Sequence, residues 1–514
     1  MADLFHSRVL RRLSERASGH SKGYAFCFSA VSDLNQIELP TVYDESDGVW
    51  NESDKNIVFD MGFRYVGFIK NVKNFRQNSQ PENSMRYLYW GLLISLCQVA
   101  AAQNLKGGGE AYPDLTTNRH SLEDWRALRF GMFIHWGPVT LRGTEIGWSR
   151  GREVSAEEYD ELYREFNPVL FNADEWIAIA KMAGMKYVVL VTKHHDGFTL
   201  WDSKDTNYDI MSGRFKRDVV REIADACRRQ GLLFGTYYSI LDWYHPDYPM
   251  QKNRTEWKTK HDMNRYVTFL RGQVQDLVQN YSSRILWFDG EWEEPWTHQM
   301  GMDLYAFVRN LDDAVLINNR VDKGRAGMAG TSASNQFAGD FATPEQRIGQ
   351  YDLLTPWESC ITLCEQWAWK PNDKLKSKDE CIQTLVRTAG GDGNLLLNVA
   401  PMMDGRIESR QIERLRQIGD WLTVFGETIY GTRGGPVPPQ SWGVTTQTGT
   451  HVFVHVLQSD NPVLVLPDFK AKVKSAKIFG TDVPIAFKRK DDQLILNLPK
   501  DAAEPIGQII VLEK

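Results

Sequence analysis

The sequence is poor in cysteine, with six in 514 residues. Domains held together by disulfides carry far more, so this is not a disulfide-built protein. Cys227 falls on the apolar face of a predicted helix, where we expect a buried, free thiol. Cys360 and Cys364 are four residues apart, but no matching histidine or cysteine pair follows them. This spacing does not indicate zinc, and we expect neither a metal nor any other cofactor.

The sequence also lacks an excess of basic residues. Its net charge is −6 and its isoelectric point is about 6.1, which gives no electrostatic footprint for nucleic acid. No Gly-x-Gly-x-x-Gly motif follows an early strand, so a dinucleotide-binding fold is disfavoured. A His-x-His pair on an early strand is missing as well, and this weakens the case for a metal-dependent barrel hydrolase.

One apolar run, at residues 87–102, is shorter than the ~20 residues of a membrane-spanning helix, so no transmembrane segment is predicted. A basic start at Met85-Arg86, a short apolar core and three closing alanines are typical of a signal peptide. We therefore expect a signal-peptide-like segment at 85–102 and a secreted or periplasmic protein. Residues 1–84 are interpreted as an upstream extension without an assigned fold. The alternative is a buried apolar helix in a protein that is not exported.

Strand-like and helix-like segments alternate from residue 115 to residue 433. The strand-like runs are apolar with little polar alternation, which suits parallel strands buried on both faces. The predicted strands are 130–135, 187–192, 232–239, 285–289, 315–320 and 394–399, and the helices between them include 176–183, 218–229 and 265–279. About eight such units in about 320 residues favour an α/β fold, a (β/α)8-like TIM barrel, over an open sheet.

The pattern changes at residue 434, where two glycines and three prolines in six residues predict a linker. Short strand-like runs follow, separated by turn residues and without a helical pattern. They lie at 451–456, 462–466, 475–479, 493–498 and 508–512. We expect residues 434–514 to form a small C-terminal antiparallel β-sandwich. A bracing role for this domain is favoured over glycan binding.

Three barrel strands end in motifs rich in histidine, tryptophan and aspartate. The motifs are Phe-Ile-His-Trp-Gly at 133–137, Lys-His-His-Asp-Gly-Phe at 193–198 and Leu-Trp-Phe-Asp-Gly at 286–290. Because the carboxyl ends of barrel strands carry the active site, the motifs predict one shared pocket. Aromatic faces stack on sugar C–H surfaces, imidazoles bind hydroxyls, and a carboxylate can attack or stabilise an anomeric carbon. The pocket therefore suits a sugar.

These motifs, with Gly-Thr-Tyr-Tyr-Ser at 235–239 and Gly-Asn-Leu-Leu-Leu-Asn-Val at 393–399, resemble the signatures of glycoside hydrolase family 29, the α-L-fucosidases. Each motif alone is weak, but all occur in family order, and the likeness covers residues 115–514. The resemblance implies a retaining exo-α-L-fucosidase that hydrolyses terminal α-L-fucose from fucosylated oligosaccharides or glycoconjugates through a covalent fucosyl-enzyme. The alternatives are a metal-dependent barrel hydrolase and a catalytically silent carbohydrate-binding protein.

The resemblance also suggests the catalytic pair. It makes Asp289 the nucleophile. The acid/base loop of the family reads Asp-aromatic-x-Thr-x-Glu, which residues 340–345 match, so Glu345 is the predicted acid/base. Glu358 is the second candidate and could instead orient the pocket, and Glu291 is expected to point elsewhere on its loop. Retaining hydrolases hold their two carboxyl groups about 5–5.5 Å apart, so we expect Asp289 and Glu345 to face each other.

The other motif residues are expected, by resemblance, to bind the sugar. They are His135, Trp148, His194, His195, Tyr237, Trp287, Arg320 and Trp367. Trp287 and Trp367 are expected to form apolar walls, while most of the others contact hydroxyl groups or the ring oxygen. Family members commonly carry Glu immediately before the residue aligned as Trp148, but here the position is Gly147. One hydroxyl contact is then missing or is made by Glu145. These motifs determine neither the fucosyl linkage nor the oligomeric state.

Overall fold

The computed structural model describes residues 105–249, 261–458, 461–499 and 508–514. The extension and the signal-peptide-like segment expected at 1–84 and 85–102 lie outside the described residues. Within the part that is described, no helix is both long enough and apolar enough to cross a membrane.

Seven parallel strands form one curled sheet in the order β5-β4-β3-β2-β1-β7-β6. They are β1 (Phe130–Ile134), β2 (Tyr187–Lys193), β3 (Leu233–Ser239), β4 (Ile285–Asp289), β5 (Leu316–Ile317), β6 (Glu358–Thr362) and β7 (Asn394–Val399). Almost all their residues are buried, as expected for parallel strands covered on both faces. The sheet confirms the predicted barrel-like α/β architecture.

An irregular segment, residues 340–345, lies between the two edge strands β5 and β6, and we call it the closing segment. On one side the amide of Asp340 donates to the carbonyl of Ile317 at 2.7 Å. On the other side the amide of Cys360 donates to the carbonyl of Pro344 at 3.0 Å. The closing segment thus takes the place of an eighth strand, and its final glutamate lies among the strand ends.

Eight helices are described, and the sequence signals locate several of their ends correctly. They are α1 (Arg119–Leu128), α2 (Ala156–Glu161), α3 (Ala173–Met182), α4 (Val219–Gln230), α5 (Met263–Gln279), α6 (His298–Leu311), α7 (Lys378–Gly390) and α8 (Ser409–Phe425). Asn172 caps α3 by accepting from the amide of Glu175, and Gly231 ends α4 with φ of 78°. Helix α5 begins two residues before the predicted start because the Asp262 side chain caps it.

The strand predicted at 315–320 is shorter than expected, since only β5 pairs with its neighbour. The Asn318 side chain replaces the strand pairing beyond that point. Its amide group donates to the carbonyl of Phe288, and its oxygen accepts from the amide of Phe288, both at 2.9 Å. The chain then forms a 3-10 turn at Asn319–Val321. This turn carries Arg320 into the pocket described below.

Two antiparallel sheets follow the barrel and confirm the predicted sandwich. Their strands are β8 (Arg433–Gly434), β9 (Gly443–Gln447), β10 (His451–Val456), β11 (Val463–Leu466), β12 (Ser475–Ile478), β13 (Ala486–Lys490), β14 (Gln493–Asn497) and β15 (Gln508–Glu513). The orders are β12-β15-β10-β9-β8 and β11-β14-β13. Strands β8, β9 and β13 were not predicted. In β13 all residues are exposed, so the alternating pattern is absent.

The barrel and the sandwich meet at a buried carboxylate, Asp392. It accepts from a terminal nitrogen of Arg126 at 2.6 Å, of Arg129 at 2.5 Å and of Arg433 at 2.7 Å. Its Oδ1 also accepts from the amide of Gly434 at 2.8 Å. Burial alone would raise the pKa of Asp392, but the three guanidinium groups lower it to about 2. This Asp392 cluster lies at the amino ends of β1 and β7.

Candidate active site

The carboxyl ends of the strands surround one pocket, as parallel barrels require. The residues that reach it are His135 after β1, Trp148 in the next loop, His194 and His195 after β2, Tyr237 in β3, Trp287 and Asp289 in β4, Arg320 after β5, Glu345 at the end of the closing segment and Trp367 after β6. Each contacts at least one other member of the set. The structure therefore brings all ten predicted site residues together.

One guanidinium joins the two predicted catalytic carboxylates. Nη1 of Arg320 donates to Oδ1 of Asp289 at 2.7 Å, and Nη2 donates to Oε2 of Glu345 at 2.8 Å. Nε of Arg320 donates to the hydroxyl of Thr343 at 2.9 Å, and its cationic group lies 4.5 Å from the Trp287 ring centroid. Because both terminal nitrogens belong to one planar group, the carboxylates of Asp289 and Glu345 face the same small space.

Asp289 is held ready as an anion. Its Oδ2 accepts from the hydroxyl of Tyr237 at 2.9 Å, and Nε2 of His195 lies 3.7 Å from the same oxygen. Burial would raise the pKa of Asp289, but the charges of Arg320 and His195 lower it below its ordinary value. An ionised carboxylate at the end of a barrel strand can act as a nucleophile.

Glu345 is less enclosed than Asp289, with 20% of its side chain exposed against 11%. Its backbone is fixed on two sides. The amide of Glu345 donates to the carbonyl of Met328 at 3.0 Å, and the preceding residue, Pro344, accepts from the amide of Cys360. Glu345 therefore combines a rigid backbone with a side chain open to the pocket, as proton transfer to a bound ligand requires.

His135 and His194 are neutral groups in the pocket wall. Burial lowers the pKa of His135 to about 3 and that of His194 well below its ordinary value. Nδ1 of His135 lies 2.6 Å from Oδ1 of Asn398, whose amide nitrogen donates to the carbonyl of Trp367. Asn398 therefore presents an acceptor, so His135 carries its proton on Nδ1 and keeps a lone pair on Nε2. The His194 ring stacks on Tyr237 at 5.5 Å.

His195 is oriented by a serine. Its Nδ1 lies 2.7 Å from the hydroxyl of Ser239, and that hydroxyl donates to the carbonyl of Leu241 at 2.6 Å. Since the serine proton is used, Nδ1 of His195 must be the donor to Ser239. Nε2 of His195 is thereby directed toward Asp289.

Tryptophans supply the apolar surfaces of the pocket. The Trp287 ring lies beside Tyr237 at 5.7 Å, and the Trp367 ring contacts His135 at 4.8 Å. Near the mouth, Trp148 and Trp292 are nearly parallel, with centroids 6.3 Å apart. These surfaces suit the C–H faces of a sugar and the methyl group of a 6-deoxy sugar.

Glu358, the second acid/base candidate, lies beneath the pocket and is fully buried. Its Oε1 accepts from Nε1 of Trp287 at 3.0 Å, and its Oε2 accepts from the hydroxyl of Tyr187. Burial raises the pKa of Glu358 to about 7. This carboxyl orients Trp287, which was the other interpretation of the residue, and does not face the carboxylate pair.

Glu145 is not available to the sugar. Its two oxygens accept from the amides of Ile146, Trp367 and Ala368 at 2.9–3.1 Å, so it holds the loop that carries Trp367. Gly147 cannot carry a side chain either. Its φ is +66°, and a Cβ there would lie 2.6 Å from Nδ1 of His194. Of the two alternatives, these contacts favour the one in which that hydroxyl contact is missing, because Glu145 is bonded to backbone amides.

A tyrosine joins two of the loops that line the pocket. The hydroxyl of Tyr159 donates to Oδ2 of Asp196 at 2.6 Å and accepts from the amide of Gly147 at 2.8 Å. Asp196 follows His195 and Gly147 precedes Trp148, so this hydroxyl links the histidine loop to the tryptophan loop. Burial raises the pKa of Asp196 to about 6.

Sequence reasoning missed several supporting residues. Ser239, Asn398 and Asp196 all lie inside the motifs. Their position as polar residues at the ends of buried strands could have identified them. Tyr159 and Arg325 lie outside every motif and gave no signal. In the described part of the chain, no cluster of three or more His, Cys, Asp or Glu is arranged to hold a metal ion.

A parallel barrel whose strand ends hold two facing carboxylates among histidines and tryptophans is the architecture of a glycoside hydrolase.

Comparison with known proteins narrows this class to a family. Residues 98–427 match the family model for α-L-fucosidase, and the chain belongs to that family, glycoside hydrolase family 29. Plasma alpha-L-fucosidase of Homo sapiens is 32% identical over 342 residues, which are 61% of this chain and 71% of the relative. Tissue alpha-L-fucosidase of Bos taurus is 30% identical over 409 residues, 71% of this chain and 83% of the relative. The resemblance seen in the motifs is confirmed.

Solved structures agree. Alpha-L-fucosidase isoenzyme 1 from Paenibacillus thiaminolyticus superposes with a TM-score of 0.68 at 33% identity, covering 76% of this chain and 98% of that one. An α-L-fucosidase from Bacteroides thetaiotaomicron has a TM-score of 0.69 at 26% identity, covering 77% and 96%. That structure is a covalent intermediate formed with 2-fluoro-fucosyl fluoride and trapped in a Glu-to-Gln variant.

Proposed function

We propose that Asp289 and Glu345 carry out the two steps by which this retaining α-L-fucosidase hydrolyses terminal α-L-fucose from oligosaccharides or glycoconjugates. The supporting observation is the Arg320 guanidinium, which binds Asp289 and Glu345 with its two terminal nitrogens. In a retaining glycosidase the nucleophile and the acid must lie about 5–5.5 Å apart, and binding to one guanidinium keeps the two carboxyl groups near each other.

In the first step, Asp289 attacks the anomeric carbon while Glu345 gives its proton to the departing glycosidic oxygen. The bond to the leaving group breaks, and a fucosyl ester forms on Asp289. In the second step, Glu345 takes a proton from water, the water oxygen attacks the same carbon, and the ester bond breaks. Fucose is released with its α configuration, and both carboxyl groups return to their starting states.

Arg320 supports both steps because the negative charge alternates between its two partners. Before attack, Asp289 carries the charge and Glu345 carries the proton. In the covalent intermediate, Asp289 is a neutral ester and Glu345 carries the charge. One cation between the carboxylates therefore stabilises one anion at each stage, and its position need not change.

The test is hydrolysis of an aryl α-L-fucoside by the wild type, Asp289→Ala and Glu345→Ala, with and without azide. We expect both variants to lose turnover and azide to restore it. The rescued products separate the roles, since azide attacks the substrate in one variant and the ester in the other. We expect β-fucosyl azide from Asp289→Ala and α-fucosyl azide from Glu345→Ala.

Two outcomes would contradict this assignment. Full activity of Glu345→Ala would transfer the acid role to another carboxyl group, with Glu358 as the alternative to test next. A wild type that binds but never cleaves the fucoside would indicate a silent carbohydrate-binding protein.

We also propose that the protein is exported. The support is the signal-like composition of residues 85–102. Amino-terminal sequencing of the protein recovered from its native host is expected to begin close to residue 103, and a start at residue 1 would refute export by this segment.

A further inference from the structure

Glu291 lies two residues beyond the proposed nucleophile and has an oxygen without a partner. It is buried, and its Oε1 accepts from Nε of Arg325 at 2.6 Å. Its Oε2 is enclosed but has no hydrogen-bond partner among the described residues. Burying a carboxylate oxygen without a hydrogen-bond donor destabilises the folded state, and native structures contain few such atoms. Each one therefore requires an explanation, such as a ligand that binds it.

The surroundings of Glu291 place it at the wall of the pocket. Gly290, with φ of +92°, turns the chain immediately after Asp289. Burial raises the pKa of Glu291, the charge of Arg325 opposes that shift, and the charges of Asp289 and Arg320 also act on the carboxyl group. The next residue, Trp292, contacts His195 edge-on at 5.4 Å. Asp289 and Trp292, which flank the Gly290-Glu291 pair in the sequence, therefore both contact residues of the pocket.

A bound fucosyl ring brings hydroxyl donors that need acceptors once they are buried. The other carboxylates nearby are engaged. Arg320 binds both Asp289 and Glu345, while Glu145 and Glu358 have hydrogen bonds to both oxygens. Among these carboxylates, Oε2 of Glu291 is the enclosed oxygen that has no partner in the described residues, whereas Glu345, which is bonded through Oε2, is partly open to the pocket.

We propose that Oε2 of Glu291 accepts a hydrogen bond from one hydroxyl of the fucosyl ring, while Arg325 holds Oε1. Glu291 is then a residue that selects the sugar and not a member of the catalytic pair. This inference rests on the proposed fucosidase activity.

The test compares wild type and Glu291→Gln on an aryl α-L-fucoside and on its 2-, 3- and 4-deoxy analogues. Arg325 retains the side-chain oxygen of the glutamine, so an amide donor replaces the free acceptor. We expect kcat/KM for the parent fucoside to fall about tenfold to hundredfold, the usual loss for a hydrogen bond to a charged group. The penalty is expected to shrink to about twofold on one deoxy analogue, the one without the hydroxyl that Glu291 binds.

Glu293→Gln is the matched control, because both oxygens of Glu293 are already bonded, to Trp243 and Tyr248. It is expected to show the same small change on all four substrates. Glu291→Asp withdraws the acceptor without removing its charge and is expected to reproduce the selective loss, which covers the case in which Glu291→Gln does not fold.

The possible failures can be distinguished. An equal penalty on the parent and on all three analogues, or no penalty at all, would overturn this inference and leave the fucosidase assignment intact. An inactive wild type would overturn the proposed function, and this inference with it.

Discussion

The two ends of the barrel each bury a cluster of arginine and carboxylate, with opposite balances of charge. At the amino ends of the strands, Asp392 is surrounded by three guanidinium groups. At the carboxyl ends, the single guanidinium of Arg320 binds the carboxylates of both Asp289 and Glu345. The first cluster has three guanidinium groups around one carboxylate, whereas the second has one guanidinium between two carboxylates.

The difference separates a structural cluster from a chemical one. Asp392 has no reason to change its protonation state, because its three cations stabilise the anion at any ordinary pH. Around Arg320, one cation shared by two carboxyl groups lets one of them carry a proton while the other is ionised. Acid and nucleophile can then exchange roles during a reaction cycle. The following predictions test this contrast, from the largest expected effect to the smallest.

Asp289→Asn should abolish chemistry while leaving the fold intact. The amide is isosteric but cannot attack the anomeric carbon, so we expect kcat to fall by roughly 10⁴-fold or more. The change in unfolding free energy should be smaller than that of the Asp392 variant below. Single-turnover kinetics measures the loss of chemistry, and denaturant unfolding measures the change in unfolding free energy. A variant that keeps a tenth of its activity would contradict the nucleophile assignment.

Asp392→Asn should show the reverse behaviour. Removing this anion leaves Arg129 buried without its carboxylate partner, while Arg126 and Arg433 retain only Glu123, and breaking a buried pair in this way typically costs about 3–5 kcal/mol. We expect that loss in urea unfolding at pH 7, with kcat/KM of the folded protein unchanged. Since the pKa of Asp392 is lowered when folded, its contribution is present above about pH 4 and is lost as pH falls through about 2. A stability difference that grows on acidification would refute this.

Glu358→Gln should change the pH dependence of stability. The pKa of Glu358 is raised by burial to about 7 in the folded state, so its stabilising contribution is complete below about pH 4.5 and is lost as pH rises through about 7. Relative to the wild type, Glu358→Gln is expected to gain about 1–3 kcal/mol of stability between pH 4 and pH 8. Thermal unfolding of both proteins at pH 4 and at pH 8 measures this gain in stability. Parallel pH profiles of the two proteins would show that Glu358 is not protonated when folded.

Tyr159→Phe should weaken substrate binding without changing the rate of the chemical step. The variant removes the hydroxyl that joins Asp196 to the amide of Gly147, so the histidine and tryptophan loops lose one shared anchor. A single hydrogen bond of this kind is worth about 1 kcal/mol, and we expect KM to rise roughly fivefold with kcat nearly constant. Tyr163→Phe is the control, since that tyrosine lies nearby and is only half-buried. Equal effects in both variants would exclude a specific role for Tyr159.

Much of the fold could be predicted because parallel strands leave a strong local signal. Strands β1 to β4 and β7 lie within one or two residues of their predicted positions, since each is a dense apolar run. Strand β6 was not predicted. Strand β5 and the closing segment were also harder to predict. There the side chain of Asn318 and backbone contacts from distant residues replace regular pairing, and no local period records such contacts.

The candidate site divides in the same way. Asp289, His135 and His194 stand at the ends of predictable strands, so their meeting follows from the barrel alone. Glu345 was selected by its motif, and only the contact with Arg320 places it opposite Asp289. Glu358 was the second acid/base candidate and Glu145 a possible sugar contact, and only the structure shows that both carboxyl groups are bonded to other parts of the protein.

By itself, the sequence determined most of the barrel strands, the family motifs and the residue types at the strand ends, because burial requires apolar runs whose ends carry the polar groups. Tertiary structure decided which carboxyl groups share one guanidinium, which are bonded to amides or indoles, and which one encloses an oxygen without a partner. Those outcomes depend on distances between residues far apart in the chain, and these distances exist only once the sheet has curled.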